Sequence, residues 1–330
     1  MTDDGRTAVG DVSNGPNLPH ASTWTAEGGL DFFGASDGTI PGVDNYSTAI
    51  SGDGSTIFGR STGAPDAGSF RYRGPGTFQR ITFVGPWSSL TWGHSSFDGE
   101  TACGTLAMPG QDAPTQAFRW TAAGGLQLLG YAGQPHGYQS FAEDLSADGN
   151  TVVGRSYDGS GDNTKAWIWT TTQGTHVLAD LDSTGAGSRA FGVSSDGRIV
   201  VGASGYAVEA VFWRDEQLIS IGKYAGSAAC LATSVSDDGG VIVGGAWLDS
   251  YEAFVWTPAH GMELMGDYFR RLGIVVEGVR AYGGGDWRVC PDGRTFYGRD
   301  GDRAFIVTIP APAGIAPLAM IAALAVRKRR

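Results

Sequence analysis

The chain has 330 residues, and 53 of them are glycine, a content that favours many tight turns and argues against a helix-rich fold. Lys and Arg number 23 against 34 Asp and Glu, so the formal net charge is −11 and a basic groove for nucleic acid is not expected. The three cysteines form no CxxC pair and the five histidines have no metal-type spacing, so neither a metal site nor a cofactor is predicted.

A seven-residue segment, Asp-Gly followed by four residues and a Gly, occurs seven times along the chain. The copies begin at Asp4, Asp53, Asp98, Asp148, Asp196, Asp238 and Asp292. Asp-Gly between short apolar runs favours a tight hairpin, because Gly adopts positive φ at no steric cost. We interpret the Asp as a turn residue whose carboxylate accepts backbone N–H groups. Calcium ligation is the alternative, but one carboxylate per loop falls short of the six or more oxygens that calcium takes.

A second strand-like element follows each hairpin, as in AFRWT from Ala117 and AWIWT from Ala166. Its fourth position is aromatic in six repeats and Val in the last: Trp24, Tyr72, Trp120, Trp169, Trp213, Trp256 and Val307. We interpret these side chains as packing between neighbouring repeats, with a ligand platform as the alternative. A small turn and a further strand come next, as in GGLQLLG from Gly124.

The spacing of the repeats predicts an all-β fold, a seven-bladed β-propeller with one four-stranded repeat per blade. Successive Asp-Gly pairs are 49, 45, 50, 48, 42 and 54 residues apart, and a period of this length with four short strands is typical of propellers. An open β-solenoid is the alternative. The first strand of repeat one and the fourth strand of the last repeat are missing from the pattern. Either the two incomplete repeats share a weakened blade, or residues upstream of Met1, including a signal peptide, belong to the natural protein.

Three longer segments between the repeats depart most from the pattern: Phe83 to His94, Tyr131 to Phe141 and Gly266 to Trp287. Loops over one face of a ring are where such a fold usually binds its ligand. Aromatic rings in them would stack on sugars, or else fill gaps between blades. The predicted ligand-binding residues are Trp87, Trp92, Tyr131, Tyr138, Tyr282 and Trp287.

The last residues form a separate region, so residues 1–309 are predicted to be the propeller and 310–330 a tail. After Pro310 and Pro312, the 14 apolar or small residues from Ala313 to Val326 predict a short helix, which the basic residues 327–330 follow. At about 1.5 Å per residue such a helix is about 21 Å long, short of the roughly 30 Å of a membrane core. We interpret it as a sorting or stop-transfer segment; a terminal helix docked on the propeller is the alternative.

The repeat unit, with segments such as GVSSDGRIVVG and AFVWT, resembles the HAF-type extracellular repeats of exported bacterial proteins over about residues 1–308. The tail resembles a PEP-CTERM sorting signal recognised by exosortase systems, with Pro-Ala-Pro where that family has Pro-Glu-Pro. The resemblance implies a recognition motif at Pro310 and Pro312 and a basic end at Arg327, Lys328, Arg329 and Arg330. It implies export to the cell surface or extracellular space, with transient anchoring in the inner membrane by the tail.

We therefore expect a non-enzymatic surface or extracellular-matrix protein that acts in adhesion, scaffolding or glycan binding. Its expected partners are a glycan or surface protein and an exosortase-type processing enzyme; the protein would be a monomer that binds no nucleic acid. A protein-interaction platform within the envelope is a second possibility of the same kind.

The alternative from a different class is a polysaccharide-acting hydrolase or lyase with its carboxylates in the propeller channel. Glycoside chemistry needs two carboxylates about 5–10 Å apart. The carboxylates outside the repeat pattern are Asp144, Asp215, Glu216, Glu252, Glu263, Asp267, Glu277 and Asp286. Their mutual placement is not readable from the sequence.

Overall fold

A computed structural model describes residues 1–12, 20–25, 27–32, 44–62, 68–74, 77–82, 89–107, 114–131, 139–157, 164–181, 187–205, 208–275, 287–300, 303–310 and 321–325. Within these residues the chain forms 27 strands and one helix, so the all-β prediction is confirmed.

The strands fall into seven consecutive groups that match the seven sequence repeats. Repeat 1 contains β1 (Thr7–Val12), β2 (His20–Thr25) and β3 (Gly29–Phe32), and repeat 2 contains β4 (Asp44–Ile50), β5 (Ile57–Thr62), β6 (Gly68–Tyr72) and β7 (Gln79–Ile81). Repeat 3 contains β8 (Ser89–Ser95), β9 (Thr101–Ala107), β10 (Thr115–Thr121) and β11 (Gly125–Leu128), and repeat 4 contains β12 (Gln139–Leu145), β13 (Thr151–Tyr157), β14 (Thr164–Thr170) and β15 (Gly174–Val177).

The remaining three repeats follow the same plan. Repeat 5 contains β16 (Ser188–Val193), β17 (Ile199–Ser204), β18 (Glu209–Arg214) and β19 (Gln217–Gly222), and repeat 6 contains β20 (Ala229–Val235), β21 (Ile242–Trp247), β22 (Tyr251–Thr257) and β23 (Gly261–Leu264). The helix α1 (Met265–Arg271) precedes repeat 7, which contains β24 (Arg288–Val289), β25 (Thr295–Asp300), β26 (Arg303–Thr308) and β27 (Ile321–Ala325).

Within each repeat, the strands pair antiparallel in sequence order, as in the sheets β4-β5-β6-β7 and β16-β17-β18-β19. A single parallel pair, Thr115 with Gln139, joins repeats 3 and 4 into one eight-stranded sheet. The first strands of consecutive repeats, β4, β8, β12, β16, β20 and β24, contact one another in turn. In repeat 1, the described residues before β1 form no strand, as the sequence predicted.

In repeats 2 to 6, the hairpin between the first and second strands is built on a Ser-x-Asp-Gly turn, in which Asp and Gly are those of the repeat segment; Thr2 and Cys290 replace the Ser in repeats 1 and 7. In repeat 4, Ser146 Oγ donates a hydrogen bond of 2.6 Å to Asp148 Oδ1, which also accepts the Asn150 N–H at 2.9 Å. The Thr151 N–H donates to Ser146 Oγ at 3.0 Å, and Gly149 has a φ of +68°. The Asp carboxylate therefore accepts hydrogen bonds within the turn, which confirms its interpretation as a turn residue.

In repeats 2, 3, 4 and 6, the Gly that ends the repeat segment makes room for an aromatic ring of the third strand. A Cβ at Gly154 would lie 2.0 Å from the Phe141 carbonyl oxygen and 2.6 Å from Cζ2 of Trp167. The first strand is bulged beside it, between Ala142 and Asp144. Gly104 and Gly244 are enclosed in the same way, by a first-strand carbonyl and a third-strand Phe. Steric exclusion therefore explains the Gly at this position in these repeats, and also in repeat 5, where a Cβ at Gly202 would lie 1.9 Å from the Arg189 carbonyl oxygen.

The apolar core is a series of clusters, most of which join two neighbouring repeats. One combines Phe58 of repeat 2 with Trp92, Phe118 and Trp120 of repeat 3, and the Phe58 and Trp92 ring centroids are 5.0 Å apart. Trp169 and Trp213, at the same place in repeats 4 and 5 as Trp120, are also buried. Packing between repeats is therefore confirmed for these residues of the third strand.

The last segment of the chain differs from its prediction. Residues Ile321–Ala325 lie in β27, which pairs antiparallel with β26 from Val307–Ile321 to Arg303–Ala325. The predicted apolar helix over 313–326 is therefore wrong for these residues, which take the fourth-strand position of repeat 7. Pairing satisfies the backbone groups along the edge of β26 that would otherwise lack partners. None of the described helices has the length and hydropathy needed to span a membrane.

The segment Gly266 to Trp287, predicted to be a loop, begins inside α1. This helix buries Met265, Tyr268 and Phe269, and the Phe269 ring contacts those of Phe296 and Trp287 at centroid distances of 5.3 and 6.5 Å. The segment therefore contributes to the core between repeats 6 and 7.

Candidate functional site

The x residues of the Ser-x-Asp-Gly turns, and of their Thr and Cys variants in the first and last repeats, line one cavity. They are Asp3, Gly52, Phe97, Ala147, Ser195, Asp237 and Pro291, and every repeat contributes one. We call this the central cavity; its volume is about 660 Å³, counting the part open to solvent. Backbone hydrogen bonds connect several adjacent x residues, from Phe97 N to Ala147 O at 2.7 Å and from Ala147 N to Ser195 O at 2.9 Å.

The position two residues before the Ser (or Cys) of the turn provides four of the polar side chains of the central cavity. In repeats 3, 4, 6 and 7 these are His94, Asp144, Ser234 and Arg288. The first strands of repeats 3, 4 and 6 are bulged just before this position, between Trp92 and Ser95, Ala142 and Asp144, and Ala232 and Ser234. A bulge shifts the alternation of side chains, which is how a strand directs a polar group into a cavity.

His94 and Asp144 form a pair across two adjacent first strands. His94 Nδ1 lies 3.0 Å from Asp144 Oδ1, which also accepts the Leu145 N–H at 2.9 Å. The other carboxylate oxygen accepts the Val193 N–H of repeat 5 at 3.0 Å. Three successive repeats therefore fix the orientation of this carboxylate, and the carboxylate fixes the imidazole ring.

The environment of His94 keeps its ring neutral at pH 7. Burial lowers the pKa of His94 to about 4; the charge of Asp144 acts in the opposite direction and that of Arg288 in the same direction. The side chain is 35% exposed, but it faces the central cavity. A neutral imidazole that donates from Nδ1 to a carboxylate has an unprotonated Nε2, which is the atom that a general base needs.

The repeats opposite this pair provide Asp3, Asp237, Arg288 and Tyr297. Burial, and then the charge of Asp237, raises the pKa of Asp3. Asp237 Oδ1 accepts the Ser195 N–H at 2.8 Å. Burial raises the pKa of Tyr297, so its hydroxyl stays protonated and able to donate. The central cavity thus combines a neutral base, a cation and hydroxyl donors.

Of the predicted ligand-binding aromatics, the structure describes Trp92, Tyr131 and Trp287, and none of these three lines the central cavity. Trp92 and Trp287 are 4% and 0% exposed and lie in two different core clusters, so their predicted role as exposed stacking platforms is corrected to one in packing. Trp92 Nε1 also donates to the Gly59 carbonyl at 3.2 Å. Tyr131 is half-buried, and burial raises its pKa. Trp87, Tyr138 and Tyr282 lie outside the described residues, as do Pro312 and residues 327–330; Pro310 is half-buried.

Of the candidate carboxylates, Asp144 alone among the described ones lines the central cavity. The others take part in contacts elsewhere: Asp215 with Arg198, Glu216 with His176, Glu252 with Ser250, Glu263 with Arg271 and Asp267 with Arg270. Glu277 and Asp286 lie outside the described residues.

The site residues predicted from the sequence do not include His94, Arg288, Tyr297, Asp3 or Asp237. Aligning the repeats on Ser-x-Asp-Gly would have identified four of them, because two positions collect the polar residues: x itself and the position two before Ser. Tyr297 lies on the second strand, where no such pattern separates it from packing residues. Among the described residues, no group of three or more His, Cys, Asp or Glu side chains could hold a metal ion.

No family model and no curated protein matches the sequence. Among solved structures, the fold is similar to that of a prolyl endopeptidase, with a TM-score of 0.63 and 12% identity, over 96% of this chain and 49% of that one. It is also similar to the periplasmic gluconolactonase PpgL of Pseudomonas aeruginosa, with a TM-score of 0.51 and 15% identity, over 98% and 99% of the two chains. A puromycin hydrolase matches with a TM-score of 0.54 and 13% identity, over 92% and 48%.

The fold is of the β-propeller type. This chain spans 49% of the length of the prolyl endopeptidase, and 63% of that of a TolB protein from Acinetobacter baumannii that it matches with 14% identity and a TM-score of 0.47. At identities this low, the likeness establishes the fold alone.

The comparisons contradict the expectation of a non-enzymatic surface protein in adhesion, scaffolding or glycan binding. The structures that match over more than nine-tenths of this chain include a gluconolactonase, a prolyl endopeptidase and a puromycin hydrolase. These neighbours agree better with the alternative from the sequence, a polysaccharide-acting hydrolase or lyase with carboxylates in the propeller channel, than with the main expectation.

Proposed function

We propose that the seven repeats close into a seven-bladed ring around the central cavity. Support comes from a contact that recurs between consecutive repeats, in which a Thr of one repeat packs on the turn Gly of the next, as Thr56 does on Gly99 and Thr101 on Gly149. Thr295 of the last repeat packs in the same way on Gly5 of the first. In addition, Cys290 Sγ lies 3.8 Å from the Thr2 carbonyl oxygen.

We infer that the protein is a hydrolase and that the central cavity is its active site. The observation that carries this proposal is the His94–Asp144 pair, with its 3.0 Å contact and its neutral imidazole facing the cavity. His94 Nε2 would remove a proton from a water molecule as the water attacks a substrate carbonyl carbon. Asp144 holds the ring in the required tautomer and stabilises the imidazolium that forms.

The rest of the reaction uses groups in the same cavity. The Tyr297 hydroxyl, kept protonated by burial, would donate to the oxyanion of the tetrahedral intermediate. When that intermediate collapses, the bond to the leaving oxygen breaks, and the proton on His94 Nε2 passes to this oxygen. The products are a carboxylic acid and an alcohol, and His94 returns to its neutral form.

The lining of the cavity favours a polar substrate. Charged side chains and the hydroxyls of Ser195 and Tyr297 line it, and such groups suit a sugar-like ligand. We therefore propose that the substrate is an ester or lactone of a sugar acid. The likeness to the periplasmic gluconolactonase is consistent with this choice.

The test is an assay of hydrolysis with a panel of aldonolactones and simple sugar esters. The acid that each reaction releases is measured and compared with a blank that contains buffer alone. We expect turnover by the wild type and a loss of at least about 100-fold in kcat for His94→Gln, since general-base catalysis contributes about 10²–10⁴-fold. The control is Arg198→Gln, whose exposed side chain pairs with Asp215 away from the cavity. Turnover no faster than the blank, or equal turnover by His94→Gln, would exclude the proposal.

We also propose that the protein is exported, as the resemblance of its repeats and tail to exported bacterial proteins implies. The likeness to a periplasmic gluconolactonase is consistent with this location. Cell fractionation of the native host, with an antibody against the propeller, tests it. Recovery in the cytoplasmic fraction alone would contradict export.

A further inference from the structure

Arg288 occupies in repeat 7 the position that His94 and Asp144 occupy in repeats 3 and 4. Among the described residues that line the central cavity, it is the one with a permanent positive charge. It is the cross-strand partner of Tyr297 in the β24–β25 pair, and its charge contributes to the lowered pKa of His94. The guanidinium is therefore close to the groups to which we assign the chemistry.

The neighbouring carboxylates are held by partners other than Arg288. Asp144 is held by His94 and two backbone N–H groups, and Asp237 accepts the Ser195 N–H. None of the ion pairs among the described residues includes Arg288; its Nη1 donates to the Thr233 carbonyl oxygen over 3.4 Å. A guanidinium has five N–H donors, so most of its hydrogen-bonding capacity is available to a ligand.

We propose that Arg288 is an anion-binding group of the central cavity, which takes a carboxylate or phosphate carried by the ligand. This proposal rests on the proposed function and narrows its substrate class: the preferred ligand is an anionic sugar derivative instead of its neutral counterpart. A planar guanidinium matches both carboxylate and phosphate by two parallel N–H···O bonds, and this match gives selectivity as well as affinity.

The competing role for Arg288 is structural. Three aspartates, Asp3, Asp144 and Asp237, line the same cavity, and a cation among them reduces their mutual repulsion. In that role its loss would lower thermal stability without changing which ligands bind. A comparison of charged and neutral ligands separates the two roles, because the three aspartates by themselves would repel an anion, so that a preference for the anionic ligand requires a cation that binds it.

The experiment is titration calorimetry of the full chain with two matched pairs of probes: D-gluconate against D-gluconamide, and glucose 6-phosphate against glucose. We expect at least one anion to bind about tenfold or more tightly than its neutral partner. The pair that shows the difference identifies carboxylate or phosphate. Arg288→Met should reduce the difference to about twofold or less, Arg288→Lys should retain part of it, and the control Arg198→Met should leave it unchanged.

Equal binding of both members of each pair by the wild type would overturn the proposal, as would the absence of binding by any probe. A folded Arg288→Met that keeps the preference for the anion would also overturn it. If Arg288→Met does not fold, the proposal is decided by the preference of the wild type for the anionic probe and by the reduction of this preference in Arg288→Lys. The lactone assay is independent of these titrations: anion binding that depends on Arg288 without lactone turnover would support this inference and contradict the hydrolase.

Discussion

Thr295, on β25 of the last repeat, packs against Gly5 in the turn of the first repeat. A Cβ at Gly5 would lie 2.4 Å from Thr295 Cγ2, and Gly5 has a φ of +68°. The two residues lie near opposite ends of the chain. Their contact therefore joins the first and last repeats, as the proposed closure of the ring requires.

Substitution at this contact should weaken the protein. Gly5→Ala would place a methyl group against Thr295 at a positive φ, and we expect a loss of about 2 kcal/mol of unfolding free energy. Urea denaturation measures it. The double variant Gly5→Ala/Thr295→Ser, which removes the Thr methyl, should recover part of the loss. Unchanged stability of Gly5→Ala would contradict closure at this contact.

Two glycines that end repeat segments, Gly154 and Gly10, test whether steric exclusion explains the Gly at this position. Gly154→Ala should destabilise the fold by about 3 kcal/mol or more, because its Cβ would overlap the Phe141 carbonyl and the Trp167 ring. Gly10 has the same position in repeat 1, where the described residues provide no first strand, and an added Cβ there meets no atom within 4 Å. Gly10→Ala should change the midpoint of thermal unfolding by little. Equal effects of the two substitutions would show that packing does not explain the conserved spacing of the glycines within this chain.

Trp92, one of two buried tryptophans in repeat 3, should contribute strongly to stability. Trp92 contacts the rings of Phe58, Phe118 and Trp120, so Trp92→Ala should cost about 3–5 kcal/mol. Trp247, which is 59% exposed beside Tyr251, is the matched control, and Trp247→Ala should cost less than about 1 kcal/mol. Denaturant titration followed by circular dichroism compares them. A small effect at Trp92 would instead favour the surface role that the sequence analysis gave it.

The activity should persist into mildly acidic solution. His94 has a pKa of about 4 in the folded protein, below the usual 6.5, so kcat/KM for the best lactone should stay level from about pH 8 to pH 5 and fall with an apparent pKa near 4. A midpoint near 6.5 would show that the ring is not held neutral by burial. Lactones hydrolyse spontaneously in base, so each rate is corrected with a blank at the same pH.

The free energy of unfolding should also depend on pH through the protonation of His94. Between pH 6.5 and 4 the unfolded chain binds a proton at His94 that the folded protein does not bind, so the free energy of unfolding should fall as the pH is lowered through this range. In His94→Gln this part of the fall should be absent. Thermal unfolding of the wild type and His94→Gln at pH 7 and pH 4.5 measures how much stability each protein loses. An equal loss in both proteins would contradict the prediction.

The sequence by itself determined the repeat, the strand order within each repeat and the chemistry of the turns. These depend on local preferences: Asp-Gly takes the turn, β-branched residues take the strand, and the same unit recurs seven times. The aromatic residues of the third strands were assigned to packing between repeats for the same reason, and Trp120, Trp169 and Trp213 are buried.

Only the tertiary structure decided the site. His94, Asp144 and Arg288 lie far apart in sequence, and they share a cavity because the first strands of consecutive repeats lie side by side and the bulges in repeats 3 and 4 reorient two of the side chains. The local pattern of one repeat carries no information on such a meeting of distant residues; the alignment of all repeats indicates the shared position but not which side chains come into contact. The same reason explains the errors at Trp92 and at 321–325: burial of a ring, and the pairing of a terminal segment with an open sheet edge, depend on what the rest of the chain places beside them.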